Sequence, residues 1–548
     1  MEERKGFGSN FGFLMAAVGS AVGLGNIWGF PNKMGACGGF TFLIIYLILA
    51  VCCGFIVMVG ELAIGRKTGK GAVAAYKALS KKFSWMGWMG ILSAFFILFF
   101  YCALGGYCIK YVVLNVGDLF GAGFGASAIA AASADAASAS LGDAVFGAFM
   151  SSTTEAIIYG LIFVVLTMLI VLGGVGGGIE KVCSVGMPAL FVALLICIIR
   201  ACTLEGTDVA VQILQADGSL VEGVVNGSAL DGLKYMFSPG WAANVGYYVP
   251  AKAVVDGAEV SSIMVNGVAQ AIVSYQSGAP SIFSVVSTAG GQMFFSLSLA
   301  MGAMITYGSY LGKDENLPKN SVIIVISDTL VAIMAGLAVI PAAVANGIAK
   351  GMAVSEIKLN GPSLLFATLQ DVFHDMGTIG GIFGLIFYAL VLIAAISSAI
   401  SLIEAVSVTF IDHASAKGHE RDRNKVLAVV CLAITLLACL VAVDGLGSNG
   451  IAPKDLFHIN SKADWCADWL DFMDMISEGI AMPLGAMLMS IMVGWEIKPK
   501  SLYGEIDSGY NGHIHGFYTF CIKYLCPVIM FFILLVQIST FFGLGWFN

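Results

Sequence analysis

Ala394, Ser397 and Ser398 stand at i, i+3 and i+4 inside an apolar run, so a helix presents them on one face. Hydroxyls and carbonyls gathered in that way suit a hard cation such as sodium, which takes oxygen ligands. Serines in apolar helices also bond back to their own carbonyls, and spacing alone leaves that alternative open. Asp328 is a lone carboxylate in another apolar run, where a charge is costly and marks function. Glu61 and Glu404 are further acids in such runs. The stretch GSAVGLGNIWGFP, Gly19 to Pro31, places Gly23, Gly25, Asn26 and Pro31 near the middle of a segment that ought to cross a membrane. Lipid offers no water to loose backbone groups, so a helix broken there must find other partners for them.

The elements that position these residues follow from composition. The chain has 548 residues, 58% hydrophobic and 11% charged, with a mean hydropathy of +0.90. A soluble protein of this length carries roughly twice that charge fraction. Apolar runs long enough to span hydrocarbon recur throughout, giving about eleven spans: 11–35, 40–66, 87–116, 155–172, 181–203, 288–312, 319–346, 376–412, 424–444, 470–496 and 515–543. The sequence therefore predicts an all-α integral membrane protein. Arg4 and Lys5 precede span 1, and Arg66, Lys67, Lys181, Lys313, Lys319, Lys417, Arg421, Arg423, Lys425, Lys498 and Lys500 fall in alternate short connections. That bias predicts a cytoplasmic N-terminus and, with an odd number of spans, an outside C-terminus. The N-terminal MEERKGFGSN leads into a full-length span with no cleavage site of small residues, so no removable signal is expected.

The 13 cysteines lie mostly in apolar runs without metal-ligand spacing and read as small hydrophobes. Residues 117–154 form a low-complexity Ala/Ser/Gly/Asp segment, and 204–287 a long loop whose alternating runs, such as AEVSSIMV, predict short strands. Both read as solvated outer insertions, and the NGS at Asn226 fits a glycosylation sequon. Span 6 repeats the pattern of span 1: FFSLSLAMGAMITYGSY mixes Ser296, Ser298, Gly302, Thr306 and Gly308 into an apolar run. Spans 1 and 6 each open a five-span block, which divides the chain into a first inverted repeat (1–203), the loop (204–287), a second repeat (288–496) and span 11 with the C-terminus (497–548). Interrupted spans at matching places in two halves point to a transporter site at the bilayer midplane. Half-helix N-termini there offer N–H groups to an anion, and half-helix C-termini offer carbonyls to a cation.

GSAVGLGNIWGFP, GQMFFSLSLAMGAMITYGSY (Gly291–Tyr310) and AAISSAISLIEA (Ala394–Ala405) together resemble the neurotransmitter:sodium symporter family, in particular its bacterial amino-acid transporters. The resemblance covers all eleven spans. It implies one sodium site from the carbonyls of Gly19, Val22 and Ala394 with the hydroxyls of Ser397 and Ser398. It implies a second from the Ala21 carbonyl, the Asn26 amide oxygen, Ser296 and a span-7 ligand, for which an ungapped count from Pro341 favours Ser327 and a one-residue shift favours Asp328. Asp328 looks like the acid that supplies the negative charge other relatives obtain from chloride, so chloride independence is expected. The substrate is expected to be an amino acid. Its carboxylate meets Leu24, Gly25 and Tyr101, its ammonium meets Ala21, Phe295 and Ser296, and Ile97, Ser298, Met301, Ala399 and Leu402 line an apolar side-chain pocket. Such a pocket favours hydrophobic or aromatic cargo.

Glu61 is expected to accept hydrogen bonds from the loose backbone of spans 1 and 6, and Glu404 to be a structural or network residue. For closure, Arg4, Tyr310 and Asp412 match the family's inner latch, with Phe7 in place of a tryptophan, while Phe295 and Tyr101 form the outer lid. The family's outer arginine position holds Gly29, so Lys33, one turn along, is expected to reach Asp474 instead. Gly178 and Pro188 fit a pattern in which span 5 unwinds to let water reach the inner sodium. The expected activity is sodium-coupled amino-acid symport by alternating access, with two Na⁺ ions, at a cell membrane of the bacterial inner-membrane kind. A sodium-independent or proton-coupled exchanger and a non-transporting amino-acid sensor are the alternatives. The paired serines, where a lysine would suit an exchanger, argue against the first. No catalytic set, nucleic-acid partner or protein partner is indicated.

Overall fold

In a computed structural model, the residues described are 7–547 apart from 133–139, 205–206, 216, 240–245, 256–257, 267, 278–280, 350–360, 416–421, 459–463 and 510–513. Nine helices among them are long and apolar enough to cross a bilayer: Phe40–Thr68, Met86–Leu119, Thr153–Leu172, Val175–Cys202, Leu317–Ala343, Gly380–Ser415, Arg423–Asp444, Trp469–Glu496 and His515–Phe541. A tenth span is the pair Asn10–Ala21 and Gly25–Ala36, bent by 47° at its break. The eleventh, Ile282–Ser296 with Ala303–Gly308, is interrupted over 297–302. The eleven spans expected from hydropathy are thus present, and span 6 begins six residues earlier than expected, because Ile282–Ser287, which mixes Ile, Phe and Val with two serines, continues the helix.

Local signals fix several ends. Ser9 caps span 1 by accepting from the Gly12 N–H, and Asp468 caps span 10 by accepting from Asp471. Span 2 stops at Gly69, which takes the left-handed conformation (φ 59°) that closes a helix most easily without a Cβ. Spans 2 and 6 touch through backbone: a Cβ on Gly65 would lie 2.0 Å from the Ile305 carbonyl, and one on Gly308 2.4 Å from that of Leu62. Small residues allow this approach in lipid, where close packing rather than hydrophobicity joins helices.

Between spans 5 and 6 lies the β-rich segment expected from alternation. Strands β1 (Thr207–Leu214), β2 (Leu220–Gly227), β3 (Gly246–Pro250) and β7 (Val268–Ser277) form a sheet in the order β2-β1-β7-β3. β6 (Ser262–Val265) also pairs with β7, and β4 (Ala253–Val255) pairs with β5 (Ala258–Val260). The helix Ala229–Phe237 leaves the sheet and packs on span 7, where a Cβ on Gly232 would sit 2.6 Å from Pro341 Cα. The low-complexity segment holds the short helices Ala126–Ala132 and Leu141–Ser151. Every described cysteine is a free thiol, and most are buried.

Candidate functional site

The break in span 1 is a redistribution of backbone hydrogen bonds. In an unbroken helix the carbonyls of Gly19, Ser20 and Val22 would receive the N–H groups of Gly23, Leu24 and Asn26. Here Gly23 donates to Asn26 Oδ1 (2.9 Å), Leu24 to the Tyr101 hydroxyl (2.8 Å) and Asn26 to the Gly23 carbonyl (3.1 Å). Three carbonyls are left over, and they face span 8. Ser398 Oγ lies 3.3, 3.3 and 3.2 Å from the carbonyl oxygens of Gly19, Ser20 and Val22. Ser397 Oγ lies 2.9 Å from the Ala394 carbonyl and 3.4 Å from that of Val22. Each serine carries a single hydroxyl proton, so these five approaches hold more lone pairs than donors. A cluster buried in this way and rich in unshared oxygen is what a dehydrated alkali cation requires.

Span 6 breaks differently. Ser298, Ala300 and Gly302 have φ of 52°, 60° and 80°. Two of the three are not glycine, and left-handed backbone at such residues costs about 1–3 kcal/mol each unless its surroundings hold it. Glu61 Oε1 accepts from the Ala300 N–H at 2.7 Å, and the Ser298 hydroxyl donates to the Ser20 carbonyl at 2.7 Å. Glu61 therefore serves span 6 in the way expected for a loose N–H. Ser298, placed in the side-chain pocket by the resemblance, spends its hydroxyl on span 1.

A second polar cluster lies around Asp328. Its carboxylate accepts from Asn26 Nδ2 (2.7 Å), Ser296 Oγ (2.9 and 3.0 Å) and the Tyr46 hydroxyl (3.2 Å). Asp328 is fully buried, whereas Ser327 is only partly so. Of the two span-7 candidates it is therefore Asp328 that lies in this cluster, and Ser327, one residue and about 100° of helix away, lies toward a flank. Asn26 brings its nitrogen to this cluster, because its oxygen already caps Gly23. Residue type alone did not single out Tyr46 and Gln292, although a polar atom inside an apolar run was a usable signal. Gln292 donates to the Gly25 carbonyl at 2.7 Å.

Of the residues assigned to cargo, Ala21, Leu24, Ile97, Tyr101, Ser296, Met301, Ala399 and Leu402 are all buried. Phe295 covers Gly25, where a Cβ would come within 2.6 Å of its ring, and stacks on Phe100 at 6.5 Å between centroids.

The closures differ from expectation. Lys33 pairs with Glu478 instead of Asp474, because the π-helical turn Met475–Ala481 brings Glu478 toward it, while Asp474 stays within electrostatic range. The space an arginine side chain would need at Gly29 is taken by Gln292, whose Oε1 would lie 2.9 Å from a Cβ there. On the other side Arg4 lies outside the described residues. Tyr310 donates to Glu404 (2.9 Å), which also pairs with Arg423 (2.6 Å), and Asp412 accepts from the Gly71 N–H (2.8 Å). Phe7 packs edge-on against Tyr307 and Tyr310. Span 5 opens with a π-helical turn, Val175–Ile179, and then runs as a helix through Pro188 without unwinding.

Comparisons with known proteins agree with this fold. The chain is 29% identical over 539 residues to an uncharacterized sodium-dependent transporter, YhdH, of Bacillus subtilis, covering 97% of this chain and 98% of that one. It is 24% identical over 479 residues to the mouse sodium- and chloride-dependent neutral and basic amino acid transporter B(0+), covering 85% and 70%. The crystal structure of MhsT in complex with L-phenylalanine aligns with a TM-score of 0.73 at 28% identity, covering 97% of this chain and all of that one. The family model of the sodium:neurotransmitter symporters matches residues 4–119 and 254–548, which take in both broken helices, the serines of span 8 and Asp328. This chain is therefore a multi-pass membrane protein of the sodium:neurotransmitter symporter family, a family of transporters.

Proposed function

We propose that the protein carries an amino acid into the cell together with sodium, by alternating access between its two faces. The observation that carries this reading is the donor-poor oxygen cluster of Gly19, Val22, Ala394, Ser397 and Ser398, which fits Na⁺ as cargo. A second ion belongs near Ala21, Asn26, Ser296 and Asp328, where the carboxylate supplies a fixed negative charge and makes chloride unnecessary. The amino acid sits between the two breaks, with its carboxylate toward Leu24, Gly25 and Tyr101 and its ammonium toward Ala21, Phe295 and Ser296. Its side chain meets Ile97, Met301, Ala399 and Leu402, a lining without charge, so cargo is hydrophobic or aromatic. The phenylalanine bound by MhsT supports the same class. The N-terminus is cytoplasmic and the C-terminus outside, in a cell membrane, with 1–203 and 288–496 as inverted repeats.

Purified protein in proteoliposomes tests this with all twenty amino acids, with and without an inward sodium gradient. Uptake of a hydrophobic or aromatic amino acid only with sodium is the expected result. Equal uptake in choline or potassium medium assigns an exchanger instead, and binding without uptake a sensor. If Asp328 replaces chloride, Asp328→Ser makes uptake depend on added chloride.

A further inference from the structure

We propose that Glu180, at the start of span 5, is the inner latch of the sodium path, holding the first turn of span 1 closed over the Ser397–Ser398 cluster. The inference rests on the sodium and orientation reading above.

Glu180 Oε2 accepts from the Gly8 N–H at 2.7 Å, and its Oε1 accepts from the Ser9 hydroxyl at 3.0 Å. Ser9 is also the residue that caps span 1. One carboxylate thus holds both the chain entering the helix and its cap. The fit depends on Gly12, where a Cβ would lie 1.9 Å from Glu180 Oε1. Seven residues further along the same face stands Gly19, whose carbonyl oxygen belongs to the proposed site, and a Cβ there would lie 3.1 Å from Cys183 Sγ and 3.5 Å from Met187 Sδ. Glu180, Cys183 and Met187 occupy i, i+3 and i+7 of span 5, one helical face. That face lies against the smallest residues of span 1, from its N-terminal mouth to the oxygen cluster. Cys183 and Met187 are buried to 1% and 0% exposure, and only Glu180 reaches solvent.

The chain that precedes Glu180 turns sharply to set the carboxylate against span 1. Gly174 has φ of 76°, and a Cβ on Gly178 would lie 1.9 Å from the Ile170 carbonyl, so the connection from span 4 is a tight glycine turn leading into the π-helical segment. Charge-assisted hydrogen bonds to backbone N–H and hydroxyl groups are strong but exchangeable with water at a surface. Releasing them frees the mouth of span 1 from span 5; drawing the two further apart then parts the buried contact of Gly19 with Cys183 and Met187, so the first thiol uncovered on the way to the sodium oxygens is that of Cys183. Glu180 is accordingly a positioning residue: it touches neither ion nor amino acid.

Cys183 provides the readout. Full-length protein in proteoliposomes is treated with a polar methanethiosulfonate reagent, with and without sodium, and modification of Cys183 is quantified by peptide mass spectrometry. Cys183→Ser is the blank, and Cys197, on the same helix, the internal reference. In the wild type, sodium protects Cys183. Glu180→Ala raises its labelling in sodium by roughly tenfold, the loss of one to two charge-assisted bonds. Glu180→Gln, which keeps one acceptor, gives an intermediate rate. Gly12→Ala, which displaces the carboxylate while leaving it in the chain, reproduces the alanine effect and stands in for it if Glu180→Ala does not fold. Wild-type labelling in Glu180→Ala and Gly12→Ala, with sodium protection intact, overturns the latch and leaves the sodium site standing. Absence of sodium protection in the wild type overturns the sodium reading and the latch with it.

Discussion

The two broken helices solve one problem in opposite ways. At the span-1 break the surplus groups are carbonyls, met by hydroxyls that can rotate and present a lone pair in place of a proton. At the span-6 break the surplus group is an N–H, met by the fixed carboxylate of Glu61. A cation could displace the first arrangement, because the serine hydroxyls and the carbonyls of Gly19 and Val22 can turn to it as ligands, while the Ser20 carbonyl keeps its bond from Ser298. Nothing displaces the second, since removing Glu61 leaves a buried donor bare. One break is therefore suited to exchange and the other to permanence, and the charge of the surplus group decides which.

That contrast can be attacked at several strengths. The largest effect is expected from Glu61→Ala, which strands the Ala300 N–H and loses about 1–3 kcal/mol of stability. Melting in detergent should show the same loss with and without sodium, and rescue by sodium would mean that the two breaks are one site. Ser398→Ala comes next: it removes the hydroxyl that meets three carbonyls and should weaken sodium binding by about 1 kcal/mol, roughly five- to tenfold. A sodium titration of the melting temperature measures it, and sodium-free stability should change little. Lys33→Ala separates the outer Lys33–Glu478 pair, which is partly exposed, for about 1 kcal/mol or less. It should alter substrate half-saturation more than sodium half-saturation, and Glu478→Gln should match it more closely than Asp474→Asn does. If neither Lys33→Ala nor Glu478→Gln changes uptake, the outer pair has no gating role. Ser327→Ala should stay within about 0.5 kcal/mol and leave sodium dependence unchanged, as for a residue off the inward face.

Much of the site was legible because its signals are local. The i, i+3, i+4 spacing of Ala394, Ser397 and Ser398 already specifies a shared face, and glycines in the middle of a span already specify a break. Asp328 was legible as a buried acid, but the choice between it and Ser327 was not, since the two are neighbours and counting from Pro341 cannot detect which way a helix is rotated. Lys33 was legible as a charge without an arginine above it, but its partner was not. Both candidates lie on span 10 one turn apart, and a π-helical turn between them shifts the register. Glu180 carried no signal in the sequence, because its function depends on the proximity of Gly8 and Ser9, which lie more than 170 positions away.

The sequence by itself determined the solvent, the number of crossings and the places where the helices break. These depend on what lipid refuses to accept, and each segment meets that test alone. Tertiary structure decided which freed backbone group meets which side chain: Tyr101 with Leu24, Ser398 with three carbonyls, Glu61 with Ala300, Glu478 with Lys33. Hydrogen bonds act over about 3 Å, and only the packed bundle brings such distant residues that close.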